Sequence, residues 1–248
     1  MFPSVKTLNL LQKRLFQVLV FLLPTQLALH FWPDWAFIFG IRVDYLSPAL
    51  YLTDLVLIAI LGLWLFKKRI IEIHKKRWLW LVVVVGFIFI NLFMAERTEV
   101  AIYKWVKYFV FFMFSAFIAQ KNELNFHEWI ERPLKASLAT VSLIGIFQFI
   151  SQKNLGGLFY FLGERDFSSI TPGIALSSFL GKQYLRAYSI FSHPNSFAGF
   201  LVVSLILIYF GKREFKKNDY LVVALSLLAL LITFSRASIL IGAMLVFL

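Results

Sequence analysis

The stretch Trp78-Leu-Trp-Leu-Val-Val-Val-Val-Gly-Phe-Ile-Phe-Ile-Asn-Leu-Phe-Met94 decides what kind of protein this is. Asn91 is its single polar side chain in 17 residues. A bilayer core about 30 Å thick is crossed by about 20 mostly apolar residues, within a range of about 17–25. The run shows no period-2 alternation, so it predicts a helix rather than a barrel strand. Working outward, similar runs recur at Leu15–Phe31, Leu50–Phe66, Ile102–Ala119, Leu134–Ile150, Pro194–Phe210 and Tyr220–Phe234. The pattern predicts an all-α integral membrane protein, a polytopic helical bundle of seven full spans plus a partial eighth. It reads as a single transmembrane domain over 1–248.

Composition agrees. The chain has 248 residues, of which 60% are hydrophobic and 15% charged, and Phe alone contributes 29; mean hydropathy is +0.79. Soluble domains are about 45–50% apolar and about 25% charged, so a soluble enzyme and a disordered chain are both excluded. Net charge is +12. Nucleic acid is not implied as a partner, because the basic residues sit between apolar runs, where they report membrane orientation. With the N-terminus in the cytoplasm, 16 of the 25 Lys and Arg fall on the inside segments, around Lys13-Arg14, Lys67–Arg77, Arg132–Lys135 and Lys212–Lys217. The first run lacks a small-residue cleavage site and reads as a retained span rather than a signal peptide. Cysteine is absent, which removes disulfides, thiolate metal sites and a Cys nucleophile.

This orientation leaves one long external loop, about 151–193. It holds Gly156-Gly157, Phe159-Tyr160-Phe161 and Thr171-Pro172-Gly173, and Ile174–Leu180 is expected as a short surface helix. The final run, Ser235–Leu248, offers 14 residues, about 21 Å of helix at about 1.5 Å each. That is short of a crossing, so the chain is expected to be truncated in mid-span.

Two external segments carry candidate chemistry. The first is Arg186-Ala-Tyr-Ser-Ile-Phe-Ser-His193-Pro194-Asn195-Ser-Phe-Ala-Gly199. Pro194 suits the first position of a helix, where its missing N–H is not needed. A helix N-terminus favours an anion such as phosphate, and Arg186 adds a forked donor. His193 and Asn195 sit at that terminus, as ligands or as ordinary caps. The second segment is Thr233-Phe-Ser235-Arg236-Ala-Ser238. An Arg at mid-membrane is costly, so the chain either turns here or turns Arg236 toward a polar cavity; a snorkelling hairpin Arg is the plain alternative. Lys104 and Lys107 share a helical face and either snorkel or extend a basic funnel. Glu164, Arg165 and Asp166 offer acid/base groups or a solvated turn. Asp54 caps the second span or pairs with Arg42. His74 and His127 read as solvated. No nucleotide loop, dinucleotide fingerprint, HExxH or paired-Asp metal motif is present, so no metal site is expected.

Together the two segments resemble the O-antigen ligase/polymerase superfamily. Arg186 to Gly199 looks like that family's R-x-x-G-x-F-x-H-P-N-x-x-(A/G) signature. Thr233-Phe-Ser235-Arg236-Ala looks like its T-x-S-R-(G/A) segment. Gly40-Ile-Arg-Val-Asp-Tyr45 and Asp54-Leu-Val-Leu57 are similar to the segment before its second span. Ser189 departs from the signature, which has Gly there. The resemblance implies a GT-C-like bundle in the bacterial inner membrane. Its chemistry would be transfer of a glycan from an undecaprenyl-diphosphate donor to lipid A-core or another glycan at the outer face, with no cofactor. Arg186, Arg236, Asn195 and Ser235 would bind the diphosphate, with Lys104, Lys107 and Arg165 accessory. His193 is the catalytic candidate, although the family's usual His lies on a later loop that these 248 residues do not include. Two other readings use the same arginines: a transporter or flippase for a lipid-linked or anionic solute, and a non-catalytic remnant.

Overall fold

The computed structural model describes residues 5–67, 78–121, 125–211 and 215–246. The basic residues 68–77, with His74, and the pair Lys212-Arg213 lie outside them. The described chain is predominantly helical: α1 (Val5–Phe21), α2 (Leu52–Lys67), α3 (Trp78–Met94), α4 (Thr98–Ala119), α5 (Arg132–Ser151), α6 (Pro194–Gly211), α7 (Lys217–Ile232) and α8 (Arg236–Val246). A π-turn over His127–Glu131 leads into α5. Three helices are long and apolar enough to cross a membrane: Thr98–Ala119, His127–Ser151 and Pro194–Gly211. They match the fourth, fifth and sixth expected spans. Leu52–Phe66 and Val82–Met94 are apolar but shorter. By length and composition this is the helix set of a membrane protein.

The first span does not lie where hydropathy put it. Its helix ends at Phe21, and Ala28–His30 is instead a strand, β1, paired antiparallel with β4 (Ala49–Tyr51). Pro24 cannot donate to a helix ladder, and the Thr25 hydroxyl donates to Leu162 O at 2.7 Å. Apolar side chains alone do not distinguish a helix from a short half-buried strand.

The chain forms two compact units, Met1–Gln12 with Ala28–Glu123, and Lys13–Leu27 with Leu124–Leu248. In the first, α2 packs on α4 through an edge-on Trp64–Phe117 contact, with ring centroids 6.1 Å apart. α3 joins α4 through Phe87 and Trp105, and the indole N–H of Trp105 donates to Asn91 at 2.9 Å. The one polar side chain of the Trp78–Met94 run therefore has a partner, as an amide in an apolar setting must. A hairpin, β2 (Phe37–Ile38) with β3 (Ile41–Arg42), turns through Phe39-Gly40, both at positive φ.

In the second unit the helices bury narrow stripes. α5 buries Leu134, Ser137, Leu138, Val141, Ile144, Gly145 and Gln148; α6 buries Pro194, Phe197, Ala198, Leu201, Val202, Leu205 and Ile208. That three-to-four spacing is one face of a helix. α5 and α7 run parallel: Lys135 reaches Asp219 at 2.6 Å, and Ser142 meets Ser226 two turns further on at 3.4 Å. Phe149 packs on Phe234 at the far end. Small residues at such seams let backbones approach, which favours helix association in lipid. Gly145 makes this concrete, because a Cβ there would stand 2.7 Å from the ring of fully buried Phe197.

The long loop is built rather than irregular. A short 3-10 helix covers Gly157–Leu162, and β5 (Leu176–Phe179) pairs with β6 (Lys182–Leu185). The short helix expected over Ile174–Leu180 is therefore absent. Leu180 and Gly181 both have positive φ, the geometry of a two-residue type I′ hairpin turn.

Gly145→Ala should destabilise the chain by about 1–3 kcal/mol, the usual cost of overpacking. Gly62→Ala on α2, with nothing within 4 Å of the new Cβ, should be neutral or stabilising by up to about 1 kcal/mol through helix propensity. Thermal unfolding of both variants in the same detergent checks the contrast; equal shifts would remove the close α5–α6 seam.

Candidate functional site

The site begins with how α7 ends. The last four carbonyls of a helix have no partner within it, and here each acquires one. Leu230 O accepts from the Thr233 amide at 3.2 Å and from its hydroxyl at 2.7 Å. Leu231 O accepts from Phe234 N at 3.1 Å, and Ile232 O from Ala187 N at 3.1 Å. Thr233 O accepts from Nε of Arg186 at 2.6 Å. Half of this cap comes from the segment that follows β6. A cation at a helix C-terminus is also favoured by the dipole.

Arg186 reaches a second element. Its Nη2 donates to Oδ1 of Asn195, in the first turn of α6, at 2.6 Å. One guanidinium thus joins the two motif segments, which stand 47 residues apart at Arg186 and Thr233. Two of its five N–H groups are engaged, leaving three. Burial pushes the Arg186 guanidinium down from its ordinary value, while nearby Tyr188 acts the other way. A partly desolvated cation attracts an anion more strongly than one in open water.

Pro194 does open α6, but the amides behind it are not open. Nδ1 of His193 accepts from Asn195 N at 3.1 Å, and His193 O accepts from Ser196 N at 3.0 Å and Phe197 N at 3.2 Å. His193 is the N-cap of α6. Because Nδ1 accepts, a neutral His193 ring carries its proton on Nε2. The anion cradle expected at the Pro194 terminus is therefore filled by the protein itself.

The open amides belong to α8. After Thr233 the chain turns through Phe234 at φ 52, which is the turn that relieves Arg236 of a mid-helix position. Ser235 N donates to Thr233 Oγ1 at 3.2 Å, and the Ser235 hydroxyl donates to that of Ser238 at 3.1 Å. Among the described residues, the amides of Arg236, Ala237 and Ser238 have no acceptor. Arg236 is exposed at this positive helix end. Hydrogen bonds thus join Arg186, Asn195, His193, Thr233 and Ser235 in one cluster, and Arg236 follows next in the chain. Arg165 is exposed, and among the described residues no hydrogen bond joins it to the cluster.

The remaining candidates fall elsewhere. Lys104 and Lys107 belong to the first unit. Lys104 is exposed, whereas Lys107 pairs with Asp54 and lies over the Tyr51 and Tyr103 rings at 5.4 and 5.5 Å. With its charge neutralised, Lys107 is not part of a basic funnel. A cavity of about 280 Å³ beside it has otherwise mostly apolar walls, including Leu50, Ile58 and Val106. Asp54 caps α2 by accepting from Tyr51 N at 2.8 Å; it does not pair with Arg42, which stacks on Trp32. Glu164 is not in a solvated turn: it is 3% exposed and accepts from Gln148, Leu155 N and Gly156 N. His127 bonds Glu131 at 2.5 Å and accepts from Arg132 at 3.3 Å.

Sequence reasoning passed over Gln148 and Gln152. A Gln near the end of an apolar helix carries no signal of what lies across from it. Ser189 was legible, since it replaces the signature's Gly and sits at φ 54, the left-handed region that favours glycine.

His193→Ala should cost about 1 kcal/mol, the loss of an N-cap, while His193→Asn should be close to neutral because Asn caps equally well. Unfolding midpoints of the two variants check this. A loss as large for Asn as for Ala would show that the ring does more for stability than cap α6.

Compared with protein-family models, with curated proteins and with solved structures, the chain matches none.

Proposed function

We propose that this chain binds the diphosphate of an undecaprenyl-linked glycan and serves the transfer of that glycan to an acceptor, lipid A-core or another glycan, at the outer face of a bacterial inner membrane. The single observation that carries the proposal is the double bond of Arg186, to Asn195 and to Thr233 O, both at 2.6 Å. It supports the resemblance to the O-antigen ligase/polymerase superfamily, because the two segments that carry the resemblance meet at one side chain. The left-handed Ser189, at the signature's Gly position, supports it independently. The parallel run of α5 and α7 fits the proposed topology of seven spans and a partial eighth, in which both helices start on the cytoplasmic side.

The chemistry asks little of the protein beyond charge and placement. The sugar's anomeric carbon loses its bond to the diphosphate oxygen and gains one to an acceptor hydroxyl oxygen, whose proton departs. Negative charge grows on the leaving diphosphate. The free N–H groups of Arg186 and the α8 amides are donors fixed before that charge develops, which is where electrostatic stabilisation acts most strongly, and the exposed Arg236 at the same helix end adds positive charge. The forked guanidinium suits paired phosphate oxygens. With Nδ1 committed to α6, a neutral His193 has only a proton to offer, so it donates to a ligand rather than taking a proton from the acceptor. No cofactor enters this scheme.

Farnesyl diphosphate titrated onto the detergent-solubilised chain tests the donor side. Arg186→Gln and Arg236→Gln should each weaken binding about 10- to 100-fold, the worth of a charge-assisted hydrogen bond. Unchanged affinity in both variants would sink the proposal. In liposomes loaded with a lipid-linked glycan, a donor that crosses the bilayer without being consumed would identify a carrier instead.

A further inference from the structure

Arg186 lies in a five-residue segment, Leu185–Ser189, that is almost wholly withdrawn from solvent: Leu185 and Ala187 are fully buried, Tyr188 and Ser189 nearly so. Its conformation is imposed from outside. Leu185 N donates to Oε1 of Gln152 at 2.8 Å. At the other end, Ser189 N donates to Oε1 of Gln148 at 2.7 Å, and Ser189 O accepts from Nε2 of the same side chain at 2.8 Å. Gln148 lies on the last turn of α5, and Gln152 is the residue that caps its C-terminus, at φ 54. They grip the segment at both ends, with Arg186 between them.

Ser189 is where the grip matters most. Its φ of 54 costs a non-glycine residue energy, and three bonds hold it there: the two to Gln148 and one from its hydroxyl to Val141 O at 2.8 Å. Gln148 has a choice of two amide orientations, and Glu164 makes it. Both oxygens of Glu164 accept backbone amides, so it meets Gln148 as an acceptor, and the NH2 group of Gln148 faces its Oε1 at 2.6 Å. Its carbonyl oxygen is thereby left to receive Ser189 N. Glu164 is itself fixed by the amides of Leu155 at 2.8 Å and Gly156 at 2.7 Å. Gln148 is fully buried and all its hydrogen-bonding groups are used, the condition under which a buried polar group specifies one arrangement.

We infer that Gln148 and Gln152, with Glu164 setting the orientation of Gln148, are the positioning residues that aim Arg186 at the α7 terminus and at Asn195. The inference rests on Arg186 being a diphosphate ligand. None of the three touches the ligand; they act through the backbone of Leu185–Ser189.

The whole 248-residue chain in detergent provides the test, with farnesyl diphosphate as probe and hydrogen exchange at Ala187 N as a readout that needs no ligand. Gln148→Met keeps the length of the side chain and removes both amide partners. It should weaken binding about tenfold, the worth of a hydrogen bond or two, and should speed exchange at Ala187, whose amide is bonded to Ile232 O. Adding Ser189→Gly should restore most of both, because glycine takes the left-handed conformation without a tether. General loosening of the fold would leave the double variant as weak as the single one, and that result overturns the inference. So does unchanged binding in Gln148→Met where Arg186→Gln has lost it. If Arg186→Gln also binds normally, the diphosphate reading fails separately, and exchange at Ala187 still decides: no change in Gln148→Met removes the positioning role. Should that variant not fold, Gln152→Met, at a half-buried site, gives the same two readouts.

Discussion

Everything proposed for this protein depends on how one helix ends. A helix that stops inside a bundle leaves four carbonyls without partners, and an unpaired polar group costs several kcal/mol where water is excluded. α7 solves this by recruiting Ala187 N and the Arg186 guanidinium from the chain that follows β6. The solution has a geometric consequence. Once Arg186 is committed to Thr233 O, the start of α8 lies three residues further along the chain, and Asn195 is held within reach of Nη2. A requirement of backbone chemistry thus gathers the cluster before any ligand is considered.

The other end of the same helix is fixed by charge. Asp219 accepts from Lys216 N at 2.7 Å, an N-terminal cap, and from Lys135 of α5 at 2.6 Å. Lys135 also contacts Glu131, which is 1% exposed and lies beside His127. Breaking one partner of such a buried set leaves a charge uncompensated, which is costly. With ionic contacts at one end, Ser142 against Ser226 in the middle and the Arg186 cap at the other, α5 and α7 have little freedom to slide. That rigidity is why Gln148, on the last turn of α5, and Gln152, its C-cap, can serve as fixed points for the loop above them.

How much of this was legible in the sequence divides along physical lines. Hydropathy located α4, α5 and α6, because a crossing helix must be apolar over a length set by the bilayer. It misplaced the first helix, since the apolar run continues past Phe21 to Phe31, whereas Ala28–His30 pairs as a strand. The Leu180-Gly181 turn was written in the sequence, as was Phe39-Gly40, yet a single X-Gly step between apolar residues also fits a surface helix. Arg186, Asn195 and Arg236 were singled out from residue type and position, Ser235 through the resemblance; hydrogen bonds join Arg186, Asn195, Thr233 and Ser235, and Arg236 follows in sequence. What spacing could not show is which amides are already occupied. His193 closes the terminus of α6, and the open amides are those of α8. Glu164 read as a solvated turn because its neighbours Arg165 and Asp166 are charged, whereas the backbone folds over it and buries it alone.

Ser189 shows how the two kinds of information combine. A left-handed position normally selects glycine, because a side chain there costs roughly 1 kcal/mol or more. Serine is tolerated here because its hydroxyl bonds Val141 O and its backbone is held on both sides by Gln148. Glycine would need none of those bonds to adopt the conformation. The same tether that makes serine acceptable also removes the segment's freedom to relax, so Arg186 is held in one posture. If the site acts as proposed, presenting donors to a charge that appears only during reaction, that loss of freedom has already been met in folding. It need not be met again at the transition state.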